Sequence, residues 1–160
     1  VKLDLALREL HRSETSLARR FRRVGERHKT DHDVFHLCAD LAAWSDDHVR
    51  RLAQAGRDHG LRLAESPARP GRLLSWLRRL TSVVLARRPE PGLLLLADLR
   101  SLHLHSAAVS VDWVLLTQGA RAARDGALLE LASQCHPETL RQLDWTTTML
   151  KELAPQALLS

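Results

Sequence analysis

The chain of 160 residues has no tyrosine, one methionine and two cysteines, and each shortage narrows what it can be. Cys38 and Cys135 are too few for the disulfide framework of a small secreted domain. Neither sits in a Cys-x-x-Cys pair or a zinc-type arrangement of Cys and His, so a reducing, cytoplasmic setting is expected. No stretch reaches the roughly eighteen uncharged apolar residues that a membrane-spanning helix needs. The longest apolar run, Leu93 to Ala97, is closed by Asp98 and Arg100. There is no glycine-rich phosphate loop and nothing resembling a nucleophile elbow, so the serines, histidines and aspartates present lack a recognisable catalytic frame. The start, Val1 and Lys2, carries no signal-peptide pattern and reads as that of a trimmed or truncated cytoplasmic protein.

What is abundant is arginine, leucine and alanine. The formal charge of +5 permits contact with nucleic acid or an anionic membrane surface but demands neither. The length suits one domain, residues 1–160, large enough to bury a core without metal or disulfide support.

Apolar positions recur at helical spacing almost throughout, and no useful stretch alternates with period two. Leu3, Leu7, Leu10, Leu17, Phe21 and Val24 predict a first helix over about 1–28. Thr30 is the expected N-cap of a second helix over 31–58, with Asp31 and Asp33 favourably placed in its first turn. A short amphipathic helix over 71–87 follows the break at Pro67, Pro70 and Gly71. Beyond "PEPG" come helices over 93–124 and 127–153, the last with an irregular start near Pro137 and a stop at Pro155.

This is an all-α layout, a four-helix bundle built from two hairpins. About thirty residues separate the second long helix from the third, enough to cross the length of a bundle at about 1.5 Å per helical residue. A long crossover carrying its own short helix favours the ferritin-like arrangement, in which the second and third helices run parallel.

The stretch "HKTDHDVFH" spaces His28, His32 and His36 by four, as a metal site on one helix face would. If Thr30 caps a new helix, however, a turn separates His28 from the other two, and the row is an accident of two helix ends.

Three fragments carry a family resemblance: "ELHRSETSLARRF" (9–21), "HVRRL" (48–52) and "LRQLDWTTTMLKELAPQAL" (140–158). With the helix order, they resemble the ferritin-like superfamily, in particular bacterial stress-associated bundles related to the YciF-like proteins. Metal-binding members hold two iron or manganese ions with a Glu from each of two helices and a Glu-x-x-His pair from each of the others. On that pattern Glu14, inward on the first helix, and His48, on the second, are the candidate metal ligands. The rest of the set is degenerate. Ser45 stands three residues before His48, Ser106 and Ser110 occupy the inner stripe of the third long helix, and Thr139 and Gln142 that of the fourth. Glu14 and His48 are therefore read three ways: an internal hydrogen-bonded pair, with Ser45 as a third member; a single-metal site; or an unconnected pair. The absence of tyrosine also removes a common redox partner of iron sites.

His103 and His105 should point apart. Trp44, Trp113 and Trp145 should plug or cover the core, with the indole N–H on a carbonyl or water. Cys38 and Cys135 are read as core residues that sit at different depths in the ferritin-like order and could bond in an up-down-up-down one. The 71–88 segment combines an apolar row with arginines, so Trp76, Arg78 and Arg79 are candidate contacts for an anionic membrane, an anionic polymer or a partner; packing over its own bundle is the plainer use. The expected function is a non-catalytic binding or structural bundle, stress-associated and open to homo-oligomerisation or a protein partner. The alternatives are a metal-dependent redox or iron-handling protein and a peripheral binder acting through 71–88.

Overall fold

The computed structural model describes residues 2–67 and 90–159. These form four helices and no strand: α1 (Lys2–Arg27), α2 (His32–Asp58), α3 (Pro91–Ala123) and α4 (Gly126–Leu159). The amphipathic segment with Trp76, Arg78 and Arg79 lies outside the described residues.

Each helix follows from its apolar row and its ends. Leu7, Leu10, Leu17, Phe21 and Val24 are buried on one face of α1. The chain then turns, and α2 is capped by Asp31, whose carboxylate accepts the Val34 N–H at 3.1 Å. The cap thus falls one residue after the expected Thr30, which lies in the turn itself. Gly25 admits the close approach here, since a Cβ on it would meet the Cys38 Cβ at 3.1 Å.

At the far end of α2 the Gly60 and Leu61 N–H groups return to the carbonyls of Arg57 and Gly56. Gly60 has φ +70, a left-handed value that glycine adopts without strain, and buried Leu61 seals the helix end. Pro91 opens α3 at a position where no N–H is needed. Left-handed Arg124 closes it, and the Asp125 carboxylate caps α4 through the Leu128 N–H at 3.0 Å.

α4 differs from the sequence expectation at both prolines. It is helical through Pro137 and does not stop before Pro155 but continues to Leu159. Pro155 and Lys151 are both exposed, so the carbonyl that Pro155 leaves without a helical donor is open to water.

Each helix packs on two others: α1 on α2 and α3, and α4 on α3 and α2. Cross-contacts set the directions. Ser13 donates to Asp112 at 2.6 Å, while Arg27 and His28, about half the length of α1 further on, both hold Asp98. Hence α1 and α3 are antiparallel. Gln142 reaches the Leu41 carbonyl and Arg51 reaches Gln134, so α2 and α4 are antiparallel too. The core is one continuous cluster running from Leu7 and Leu116 at one end to Val34 and Leu95 at the other. Among the described residues, no helix is long and apolar enough to cross a membrane.

Candidate functional site

The helical repeat that buries Leu10 and Leu17 also drives Glu14 inward, because all three lie on one face of α1. The same periodicity buries His48 between Ser45 and Leu52 on α2, and Trp113 between Val109 and Leu116 on α3. The three meet mid-bundle, each with no solvent exposure.

His48 is held on both sides. Its Nδ1 lies 2.7 Å from Glu14 Oε1 and its Nε2 2.8 Å from Glu138 Oε2. Trp113 donates its indole N–H to the same Glu14 oxygen at 2.8 Å and sets its ring edge-on to the imidazole, 5.7 Å between centroids. Glu138 differs from the others in retaining 31 % side-chain exposure, so the chain of contacts runs from the sealed interior to solvent.

A neutral imidazole has only one N–H, whereas two ionised carboxylates each require a donor. The arrangement therefore suits an imidazolium between two carboxylates. The electrostatics agree: burial pushes His48 down, but the hydrogen bond and charge of Glu14, followed by those of Glu138, outweigh it and raise it above the ordinary histidine value.

The hydrogen-bonded reading of Glu14 and His48 is thus what the geometry displays, without Ser45. Gln142 donates to Ser45 Oγ at 3.0 Å and to the Leu41 carbonyl at 2.9 Å. Ser110 donates to His136 Nε2 at 2.8 Å, consistent with an imidazole that burial pushes below its usual value. Buried Ser106 and Thr139 have no side-chain hydrogen-bond partner among the described residues. His103 meets Thr146 at 3.0 Å, while His105 turns back to the Ser101 carbonyl. His28 contacts Asp98 at 2.7 Å, and His32 and His36 stand exposed with stacked rings, so the histidine row is split between two helix ends.

Two participants went unnoticed in the sequence. Glu138 borders the inward row Cys135, Thr139 and Gln142, and an acid at the edge of a buried stripe is a visible signal. Trp113 is recognisable as a core residue, but not as a donor to a carboxylate rather than to a carbonyl or water.

A di-iron or di-manganese centre requires donors that converge. Here the two nitrogens of one imidazole diverge to separate carboxylates, and among the described residues no three His, Cys, Asp or Glu side chains gather around a point. The donor set does not fit two ions. Cys135 borders this region and Cys38 lies far along the bundle beside Asp98; both are free and buried. Burial pushes each thiol up to about 12; the Asp98 charge adds to this at Cys38, while Arg51 partly opposes it at Cys135.

No protein-family model matches this chain, and no curated protein or solved structure matches it. The ferritin-like resemblance therefore rests on sequence fragments and helix order alone.

Proposed function

We propose that this protein is a ferritin-like bundle in which the Glu14–His48–Glu138 chain stands where metal-binding relatives would hold ions. It works as a non-catalytic binding or structural protein of the stress-associated kind. Support for the ferritin-like arrangement comes from the helix directions. Glu14 meets His48 while Gly25 abuts Cys38, so α2 runs antiparallel to α1, as α3 does; α2 and α3 therefore point the same way, an order that needs a long connection between them.

The observation that carries the functional reading is the saturation of His48. With both ring nitrogens engaged by carboxylates, neither lone pair is offered to a metal. One feature favours the alternative of a metal-dependent redox or iron-handling protein: Glu14 Oε2 is buried with no partner among the described residues, a carboxylate oxygen left over for a ligand.

Metal analysis of protein purified without chelator decides between them. Iron and manganese well below one equivalent are expected. Stoichiometric metal that disappears in Glu14→Ala would overturn the proposal. The peripheral-binder alternative through Trp76, Arg78 and Arg79 is tested by liposome co-sedimentation with Arg78 and Arg79 replaced; no lipid-dependent pelleting removes it.

A further inference from the structure

On the side of α1 turned away from Glu14, a groove of about 530 Å³ is lined by Arg8, His11, Arg12, Thr15, Ser16, Arg19 and, from the segment after α2, Leu63. Arg8, Arg12 and Arg19 recur at intervals of four and seven, so their guanidinium groups share one face. That row covers about 16 Å at 1.5 Å rise per residue. His11 donates its Nε2–H to the Ala64 carbonyl at 2.7 Å, pinning the chain after α2 alongside the helix and making a trough of what would otherwise be an open face.

The charge in this trough is uncompensated. Elsewhere on the same hairpin several arginines meet carboxylates, among them Arg22 with Asp46, Arg27 with Asp98, Arg50 with Asp47, and Arg57 with Glu65. Within the groove the only such contact among the described residues is Arg12 to Glu9 at 3.5 Å, between two exposed side chains, a pairing worth little in water. Arg8 and Arg19 have no carboxylate partner among the described residues. The sequence between Pro67 and Glu90 supplies no counter-charge either, with six arginines and no acid.

The geometry points to a linear oligophosphate as the ligand of this groove. That is the chemistry shared by inorganic polyphosphate and the phosphate tail of a nucleoside triphosphate. Guanidinium groups pair with phosphate oxygens through two parallel N–H donors, and a row of them along one helix suits successive phosphates better than a single small anion. The short row on a single helix suits a flexible chain of phosphates better than a rigid duplex. The site is separate from the bundle interior and does not depend on what occupies it.

The test is calorimetric titration of the full chain with tripolyphosphate at moderate salt, with ATP, orthophosphate and a single-stranded oligonucleotide in parallel. Expected is saturable tripolyphosphate binding, weakening as salt rises, and at least about tenfold tighter than orthophosphate. It should fall by about tenfold or more in a variant combining Arg8→Gln, Arg12→Gln and Arg19→Gln, and be unchanged by Arg121→Gln with Arg141→Gln on the far hairpin. ATP binding equal to tripolyphosphate assigns recognition to the phosphate tail; ATP excluded while tripolyphosphate binds assigns it to inorganic polyphosphate. Both support the proposal. The substituted residues are on the surface, and matching thermal melts establish that the variants are folded. No saturable binding, equal loss in both arginine variants, or binding of the oligonucleotide without tripolyphosphate would each overturn it.

Discussion

Glu14 and His48, thirty-four residues apart in the chain, lie 2.7 Å apart in the sealed middle of the bundle and join the two helices of the first hairpin. The contact is an ion pair with added hydrogen bonds rather than a bare charge pair. Trp113 ties it to the second hairpin from one side and Glu138 from the other. Buried charges persist only when matched in this way.

Removing one member should therefore be costly. Glu14→Ala leaves a buried imidazolium with one carboxylate and an indole N–H with none, and breaking such a pair typically loses about 3–5 kcal/mol. Urea unfolding should show that loss. Glu14→Leu combined with His48→Leu, which removes both charges, should lose less than the sum of those two changes made singly. Additivity in this double-mutant cycle would mean that the pair is not coupled.

The same contact has a pH signature. His48 is raised in the folded protein above its unfolded value of about 6.5, so its stabilisation is fully present below that pH and declines as pH rises through the folded value. Stability should fall as pH rises above about 6.5, and His48→Gln should flatten that slope. Equal slopes in the two proteins would show that His48 does not titrate as described.

Cys38 and Cys135 should resist modification. Both are buried, and with thiols pushed up to about 12 they hold almost no thiolate at neutral pH. Alkylation of the native protein should be far slower than in denaturant, where both react. Rapid native labelling of either would contradict the burial described for it.

The start of α2 offers a local test. Asp31→Ala removes the side chain that accepts the Val34 N–H and should cost about 1 kcal/mol. Thr30→Ala, one residue earlier and exposed, should cost a few tenths at most. If the two losses were reversed in thermal melts, the cap would belong to Thr30.

That one-residue displacement shows where reading a sequence stops. Thr30 and Asp31 are both good capping residues, and only the backbone path of the turn decides which points its oxygen at the helix. Pro155 teaches the converse: its ring signals a stop, yet an exposed helix end tolerates the missing donor. Glu14 and His48 were legible as inward residues because periodicity fixes the face of a helix. Their contact was one of three open readings, because periodicity does not fix the rotation of one helix against another.

The amino-acid order by itself determined the four long helices, their buried faces and the placing of a carboxylate and an imidazole among apolar neighbours, all properties of 3.6-residue repetition and end-capping. The tertiary structure decided that Glu138, not Ser45, completes the set, that Trp113 donates to Glu14, and that the arginines of α1 face a trough. Those depend on axial offsets between helices remote in sequence, which packing of the whole core sets and no local pattern encodes.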